Sequence, residues 1–324
     1  MGTTYSHLSI EARESIMVLR AQNVSLQKIA DKLGYHKSTI SRELSRNGID
    51  GQYHAIEAQR QYDTRRKSCK QEKKLKSEEY RLRVQEKLVK EQWSPEQISN
   101  YMRKQDPKKT ISCSTIYRAI EDGLLDNGKT QAKRFLRRKG KPRKSKGHQE
   151  NRGKFPVSNK LEQRPEAANN RVRIGDWELD TVLGKVGGAC LVTAVCRKSR
   201  FVVVKKIRRK KAACVNEALI SILADLPVHT LTPDRGKEFA QYSEVTKAIG
   251  AQFYFPEPSQ PWQRGTNENT NGLLRQYFPK HQSIENYEDE YIQSIQDKIN
   301  LRPRKCLDWK TPYEVFFNKE LRLV

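Results

Sequence analysis

The sequence predicts a multidomain protein, in which an α-helical N-terminal region of helix-turn-helix units precedes an α/β domain. Three observations lead to this fold class. Residues 38–42 and 114–118 both have the pattern Ser-Thr-Ile-x-Arg within helical contexts. A run of lysines and arginines follows at 133–146. From residue 174 onward, segments rich in β-branched residues alternate with helical patterns, which is typical of an α/β domain.

The first predicted unit, residues 1–50, is a helix-turn-helix DNA-binding domain. Ser9 and Ser25 can cap two successive helices, and Gly34 turns the chain into a third helix at 36–46. In such units the last helix enters the major groove of DNA. The side chains expected to contact bases or phosphates from this helix are Lys37, Ser38, Thr39, Ser41, Arg42 and Arg46.

A charged helical connector is predicted at 51–90, and a second helix-turn-helix-like unit at 91–125. Ser94-Pro-Glu-Gln97 has the form of a capping box with proline in the first turn, so a helix should begin there. The Ser-Thr-Ile-x-Arg pattern recurs 76 positions after its first occurrence. It favours a second DNA-reading helix, although a coincidental match of five positions is the alternative. The candidate DNA contacts are Ser114, Thr115 and Arg118.

A basic linker is predicted at 126–172. The dense positive charge of its segment 133–146 is typical of chains that follow DNA phosphates and are disordered without DNA. Arg137 and Arg138 are the candidate phosphate contacts.

The α/β domain is predicted at 173–324, ending in helices. Its first part has three consecutive strand patterns separated by turn signals. Helices and strands then alternate. The expected elements are strands at 174–183, 189–196 and 200–207, a helix at 211–226, a strand at 228–231, a helix at 237–249, a strand at 252–255 and a helix that contains Glu268.

Three carboxylates in this domain are candidate metal ligands. Asp180 lies in the first strand, where Asp176 and Glu178 share its face. Asp234 follows the fourth strand, and Glu268 lies on a helix after 33 intervening residues. Each carboxylate has an ordinary alternative: a solvated strand face, a turn and a polar helix face, respectively.

The helix that contains Glu268 also contains Gly265 and Gly272. Each glycine lowers helix stability by about 1 kcal/mol relative to alanine. Their presence suggests that another group approaches the backbone of this helix closely.

Carboxylates brought together in this way need cations. Two carboxylates about 4 Å apart repel by roughly 4 kcal/mol at an effective dielectric constant near 20. Two Mg²⁺ or Mn²⁺ ions relieve the repulsion, and such a pair can activate an attacking oxygen and stabilise a leaving oxygen. The three acids therefore suggest a site that cuts and joins phosphodiesters.

Several sequence blocks resemble the insertion sequence 30 family of bacterial transposases, and the resemblance covers essentially the whole chain. The longest block is Pro261-Trp-Gln-Arg-Gly-Thr-Asn-Glu-Asn-Thr-Asn-Gly272 with its continuation to Lys280. The others are Arg164-Pro165 with Gly175–Asp180, and Asn300-Leu-Arg-Pro-Arg-Lys305 with Thr311-Pro312.

The resemblance implies the ribonuclease H-like fold of retroviral integrases and DDE transposases, in agreement with the predicted order of strands and helices. Asp180, Asp234 and Glu268 match the catalytic, metal-binding carboxylates by position, and Arg275 matches a basic residue on the face of Glu268. Two departures are visible. Leu179 stands where many members have Gly, and Arg235 stands where Asn is common.

The net charge of +25 over 324 residues indicates a polyanionic partner. Residues 1–173 carry 40 Lys and Arg against 20 Asp and Glu, whereas residues 174–324 carry 23 against 18. The N-terminal half is therefore expected to supply most of the attraction to double-stranded DNA. RNA binding is the alternative explanation of the charge, and the helix-turn-helix units favour DNA.

The resulting interpretation is a DNA transposase that binds terminal inverted repeats, nicks the ends and joins them to target DNA. At least two protomers are expected on DNA, because one chain has one set of carboxylates. The alternative is a site-specific DNA-binding regulator or an inactive transposase relic. A ribonuclease H-type hydrolase is disfavoured, because it would not need paired reading units.

The remaining patterns point to a bacterial, cytoplasmic, nucleoid-associated protein. The six cysteines lack the spacing of zinc ligands, so we expect reduced thiols and no zinc finger. No apolar run approaches 18 residues and the first residues do not resemble a signal peptide, so we expect neither a membrane span nor secretion.

Overall fold

The computed structural model describes residues 6–48, 51–69, 74–137, 159–257 and 265–321. The chain divides into two compact units, Met1–Lys76 and Ser77–Val324. The helices expected at 91–125 thus lie in the same compact unit as the α/β domain. Arg138, a predicted phosphate contact, lies outside the described residues.

The first unit is helical, in agreement with the helix-turn-helix prediction. Its helices are α1 Ile10–Ala21, α2 Leu26–Leu33, α3 Lys37–Asn47 and α4 Ala55–Ser68. The Ser9 side chain accepts a hydrogen bond from the backbone N–H of Ala12, so it caps α1 as predicted. Ser25 stands at the N-cap of α2 but its side chain makes no capping hydrogen bond. Gly34 ends α2 with φ +67°, a left-handed conformation that favours glycine.

A small core and one buried ion pair hold these helices together. Ile16, Ile29 and Ile40 are fully buried and come from three different helices. Arg13 of α1 is also buried, and its Nε donates to Glu43 Oε1 of α3 at 2.8 Å. The orientation of α3 relative to α1 is therefore fixed by both apolar and polar contacts.

The second unit begins with three helices, α5 Glu78–Val89, α6 Pro95–Gln105 and α7 Cys113–Glu121. The capping box predicted at Ser94 is confirmed. The Ser94 side chain accepts from the Gln97 N–H, and the Gln97 side chain accepts from the Ser94 N–H. The region between α4 and α5 includes a short 3₁₀ turn at Lys74–Lys76, so the charged connector is not one continuous helix.

The start of α6 packs against the C-terminal part of the same unit. Gln97 Nε2 donates to the carbonyl of Pro303 at 2.7 Å, and Lys305 forms an ion pair with Glu96 at 3.0 Å. Arg302, which is buried, donates to the carbonyl of Glu91 at 3.4 Å. Three polar contacts thus attach the second helix-turn-helix-like unit to the α/β domain of its own chain.

The α/β domain contains a five-stranded sheet with strand order β3-β2-β1-β4-β5. β1 pairs antiparallel with β2, and β2 with β3, whereas β4 is parallel to both β1 and β5. The strands are β1 Asp176–Leu183, β2 Cys190–Cys196, β3 Val202–Ile207, β4 Thr230–Thr232 and β5 Gln252–Phe253. The helices are α8 Glu166–Asn169, α9 Ala212–Leu223, α10 Tyr242–Ile249, α11 Gly265–Leu274, α12 Asp289–Asn300 and α13 Pro312–Phe317.

This order of strands and helices is the ribonuclease H-like arrangement that the sequence predicts. One apolar core includes Leu219 of α9 and Phe253 of β5. A second core includes Leu274 of α11 and Ile295 of α12. The two cores cover the sheet with helices, as α/β proteins require.

Helix α12 also protects the exposed edge of the sheet. The backbone N–H groups of Val202 and Val204 on β3 donate to the side chains of Asn300 and Gln296, at 2.9 and 2.7 Å. Both acceptor side chains are buried. Unpaired N–H groups on an edge strand can pair with strands of other molecules. By accepting hydrogen bonds from two of these groups, Asn300 and Gln296 stabilise the edge of the sheet.

One predicted helix is divided in the structure. We expected a helix over 237–249, but a 3₁₀ turn at Lys237–Phe239 precedes α10. Gln241 lies between them with φ −95° and ψ 29°, outside the helical region. The interruption lets Phe239 reach the core, where it is 1% exposed.

Among the residues that the structure describes, no helix is both long and apolar enough to cross a membrane.

Candidate active site

Two of the predicted carboxylates belong to segments that pair in the sheet. Asp180 lies in β1, and Asp234 follows β4. In the parallel register Glu178 stands opposite Thr232. This is the last pair of the ladder, so Asp180 and Asp234 each follow it by two residues, Asp180 within β1 and Asp234 in the chain after β4.

Asp180 is held by two hydrogen bonds. Asn271 Nδ2 donates to its Oδ2 at 2.8 Å, and the N–H of Thr181 donates to its Oδ1 at 2.8 Å. The first contact joins β1 to α11. The sequence did not predict this role of Asn271, because nothing in it links Asn271 to a residue 91 positions away.

Asp234 is buried, and its Oδ1 accepts from the N–H of Gly236 at 2.9 Å. Asp234 therefore has the turn contact that its ordinary alternative predicted. The neighbouring Arg235 donates through Nε to the carbonyl of Pro256 at 2.7 Å, and its Nη2 lies 3.9 Å from Glu257. These contacts hold the Arg235 guanidinium against Pro256 and Glu257, in the segment after β5.

Glu268 lies on α11, and Arg275 immediately follows the last residue of that helix. Glu268 is exposed, whereas the opposite face of the helix buries Thr266, Asn267 and Thr270. Arg275 donates through Nη1 to the carbonyl of Leu183, at the end of β1. Burial lowers the pKa of Arg275, and the negative charge of Asp180 opposes that shift.

The three carboxylates do not converge on one point. Among the described residues, no group of three His, Cys, Asp or Glu side chains lies close enough to hold a metal ion. Asp180 lies in β1, Asp234 follows β4 by two residues, and Glu268 lies on α11, which packs on β1. The donor set, three carboxylates with no thiolate or imidazole, fits hard cations such as Mg²⁺ and Mn²⁺.

The other two acids of β1 have structural partners. Glu178 forms a fully buried ion pair with Arg197, and its Oε2 accepts from the N–H of Asn267 at 3.2 Å. Asp176 binds Arg173 at 3.0 Å and accepts from Thr230 Oγ1 at 2.7 Å. The possibility of a solvated acidic strand face is therefore wrong for these two residues, which are buried and paired.

Glu178 fixes the position of the helix that contains Glu268. It contacts the backbone of Asn267, the residue immediately before Glu268 and in the first turn of α11. Asn267 in turn donates through Nδ2 to the carbonyl of Leu179 at 3.0 Å. A carboxylate near a helix N-terminus also interacts favourably with the helix dipole. Strand β1 and helix α11 are thus joined beside the candidate ligands.

An open groove of about 810 Å³ lies along the exposed face of α11. Its charged lining consists of three arginines and one carboxylate. The lining residues are Gln92, Arg134, Phe135, Leu136, Arg137, Gly265, Glu268, Asn269, Gly272, Arg275, Gln276 and Pro279.

Most of the predicted DNA-reading side chains are accessible. On α3, Lys37, Ser41, Arg42 and Arg46 are exposed, whereas Ser38 and Thr39 are half-buried. The Ser38 hydroxyl also shares hydrogen bonds with His36 and Arg42, which explains its lower exposure.

On α7, Ser114 and Arg118 are exposed and Thr115 is half-buried. The Thr115 hydroxyl lies 2.8 Å from the hydroxyl of Ser112, the N-cap of the helix. Thr115 therefore has a capping contact within its own unit.

Comparison with known families and sequences finds similarity along the whole chain. A family described as "Helix-turn-helix domain" matches residues 4–47. The chain is 36% identical over 315 residues to "Transposase for insertion sequence element IS4351" of Bacteroides fragilis, covering 96% of this chain and 95% of the relative. It is 36% identical over 323 residues to "Transposase InsI for insertion sequence element IS30A" of Escherichia coli K12, covering 96% and 83%. Against "Transposase for insertion sequence element IS1086" of Cupriavidus metallidurans, identity is 37% over 324 residues, covering 97% and 95%.

Similar solved structures include retroviral proteins at 19% sequence identity. The catalytic core domain of BIV integrase matches with a TM-score of 0.35, covering 44% of this chain and 93% of that one. A chain of the simian T-cell lymphotropic virus intasome in complex with PP2A regulatory subunit B56 gamma matches with a TM-score of 0.38, covering 56% and 62%.

The buried pair of Glu178 and Arg197 generates a stability prediction. Glu178→Ala should lower the free energy of unfolding by about 3–5 kcal/mol, because it leaves the Arg197 guanidinium buried without its counter-charge. Urea denaturation measures the change. Glu217→Ala, at an exposed position on α9, is the control and should change stability by less than about 0.5 kcal/mol. A loss below about 1 kcal/mol for Glu178→Ala would contradict the assigned role of the pair.

Proposed function

The chain belongs to the insertion sequence 30 family of DNA transposases, and we propose that it acts on the terminal inverted repeats of its own element. In this proposal it binds the repeats, nicks the DNA at the element ends and joins the freed 3′ hydroxyl to target DNA. The observation that supports the proposal is the parallel pairing of β1, the strand of Asp180, with β4, which ends two residues before Asp234, while β1 also contacts the helix of Glu268.

Asp180, Asp234 and Glu268 are the proposed ligands of two divalent ions, Mg²⁺ or Mn²⁺. When bound, such a pair would activate the attacking oxygen and stabilise the leaving oxygen of the phosphodiester. Asn271 and the N–H of Thr181 orient the Asp180 carboxylate, and the N–H of Gly236 orients Asp234. Glu268, exposed at the neighbouring groove, completes the set when DNA occupies the site.

Arg275 is proposed to stabilise the reacting phosphate. Its guanidinium is anchored at one nitrogen by the carbonyl of Leu183 and also lines the groove that contains Glu268. A guanidinium fixed in this way can stabilise charge that develops on a phosphate oxygen with little reorganisation. Burial lowers the pKa of Arg275, and the Asp180 carboxylate opposes this shift by favouring the charged guanidinium.

Recognition of the DNA ends is proposed to use α3 and α7. Both helices present an exposed arginine one turn after an exposed or half-buried serine, namely Arg42 after Ser38 and Arg118 after Ser114. Arginine is the side chain that most often reads guanine in the major groove. The large positive charge supplies attraction that does not depend on sequence. The protein is proposed to act in the cytoplasm on nucleoid DNA.

Replacing a metal ligand should abolish catalysis but not DNA binding. Asp180→Ala, Asp234→Ala and Glu268→Ala should each reduce cleavage and strand transfer in Mg²⁺ by at least about 1,000-fold, because each removes a ligand charge. Cleavage of end-containing duplexes and gel-shift binding measure the two activities separately. Glu217→Ala is the matched control. Full activity of Asp234→Ala, or wild-type cleavage that persists in EDTA, would exclude the proposed site.

The first reading helix should determine which sequence is bound. Arg42→Ala should weaken binding to the inverted repeat by about 1–3 kcal/mol and relax specificity at one base pair. Competition binding against a set of single-base variants measures both effects. Lys28→Ala, which removes an exposed positive charge on α2, should weaken all sequences equally. Equal loss of affinity for repeat and random DNA in Arg42→Ala would contradict base reading.

The working complex is proposed to contain at least two protomers and both element ends. Each protomer contributes one set of carboxylates, and two ends must be joined to one target. The charge of +25 per chain favours monomers until DNA neutralises it. The connector at 51–90, which includes the exposed Leu82, is a candidate contact between protomers.

Assembly can be tested by mixing two defective proteins. Asp234→Ala and a protein without its first reading unit should together restore strand transfer that neither supports alone, because one protomer would read an end while another cuts. Mass measurement of the complex on DNA gives the number of protomers. Strand transfer by a complex with a single protomer would contradict this proposal.

A further inference from the structure

The segment that follows the second helix-turn-helix-like unit lies against the helix that contains Glu268. Arg137 donates through Nη1 to Asn269 Oδ1 of α11 at 3.3 Å. Its other terminal nitrogen, Nη2, occupies the space next to the Cα of Gly272, where an added Cβ would overlap it. Arg137 therefore crosses α11 one turn after Glu268. This is the close approach that the sequence suggested at Gly272, whereas the same expectation is wrong at Gly265, where no described residue lies within 4 Å of the position that a Cβ would take.

The same segment forms one wall of the groove beside the candidate active site. Arg134, Phe135, Leu136 and Arg137 face the exposed side of α11. The segment follows α7 and packs against it and against α5, so the prediction that the linker is disordered without DNA is wrong for its first residues, 132–137. The groove is thus built by two parts of the chain that are more than 100 residues apart.

The charge of the groove fits a nucleic-acid strand. Its lining includes three guanidinium groups, those of Arg134, Arg137 and Arg275, and one carboxylate, that of Glu268. Phe135 adds an aromatic ring beside these charges, and such combinations bind single strands through phosphates and stacked bases.

We propose that this groove holds the reacting DNA strand, and that Arg137 binds a phosphate of that strand and places it next to Glu268. The inference rests on the function proposed above and adds a specific site to it. Arg137 acts from a fixed place over Gly272, so its contribution depends on position as well as on charge. A displacement of about 1 Å at a reacting group can cost about 100-fold in rate.

The position of Arg137 can be disturbed without removing its charge. Gly272→Ala introduces a methyl group where the guanidinium lies, and the flexible end of Arg137 can move away from it at little cost. Arg137→Gln removes the charge instead. If Arg137 acts from this position, both changes disrupt the same contact, and the double variant should be no worse than Arg137→Gln alone.

The test uses the full chain and a duplex that carries the terminal repeat of the element with its 3′ hydroxyl already exposed. Strand transfer into a plasmid is measured at saturating protein in Mn²⁺, together with the affinity for the duplex. Arg137→Gln and Gly272→Ala should each slow transfer by about 10–100-fold. Affinity for the duplex should fall by less than about tenfold, since one phosphate contact of many is lost.

Three comparisons separate a strand-binding role from a structural one. Arg137→Lys should recover part of the rate, because it keeps the charge without the bidentate geometry. Lys129→Gln, a charge removal at an exposed position before the segment, should transfer like wild type. The double variant Arg137→Gln with Gly272→Ala should match Arg137→Gln. If the alanine disturbed the helix by itself, it would slow the Arg137→Gln protein further.

The inference is overturned if Arg137→Gln transfers within twofold of wild type, or if the two single effects multiply in the double variant. Asp234→Ala is included to distinguish this failure from failure of the proposed function. If Asp234→Ala is inactive while Arg137→Gln is fully active, the proposed role of the carboxylates is retained and only the role proposed for the groove is contradicted.

Discussion

The proposed active site depends on the parallel pairing of β1 with β4. The last pair of this ladder is Glu178 with Thr232, and Asp180 and Asp234 each follow it by two residues. β4 is a short strand of three buried residues, held between β1 and β5. A shift of one residue in this pairing would turn the side chains of β4 toward the opposite face of the sheet, because side chains alternate along a strand. The core of the sheet therefore constrains the backbone on both sides of the proposed site.

A second constraint joins this sheet to the helix that supplies the third carboxylate. Glu178 forms an ion pair with Arg197 and accepts a hydrogen bond from the N–H of Asn267, and all three residues are buried. A buried charge without a partner costs several kcal/mol, so the start of α11 is favoured in one position. Asn271 then contacts Asp180 one turn later. The helix is thereby held against β1, the strand of Asp180, while the Glu268 side chain remains exposed.

The sequence predicted those features that depend on interactions between residues close together along the chain. The strands, the capping box at Ser94 and the order of the α/β elements follow from hydrophobic periodicity and capping chemistry, which act over a few residues. The ion pair of Glu178 with Arg197 and the contact of Arg137 with α11 could not be predicted, because they join segments that meet only after folding. Gly272 gave a partial signal, since a helix glycine indicated a close neighbour without identifying it. The interruption at Gln241 was missed because the burial of Phe239 outweighs local helix propensity.

Anomalous diffraction from crystals of the protein with Mn²⁺ and a pre-cleaved end duplex tests the central claim most directly. The account predicts manganese peaks at distances of about 2.1–2.2 Å from carboxylate oxygens of Asp180 and Asp234, with Glu268 turned toward one of them. It also predicts that the exposed 3′ hydroxyl lies at the same site. Manganese bound only elsewhere while the DNA end is engaged, with the Asp180 and Asp234 carboxylates contacting no metal ion, would contradict it.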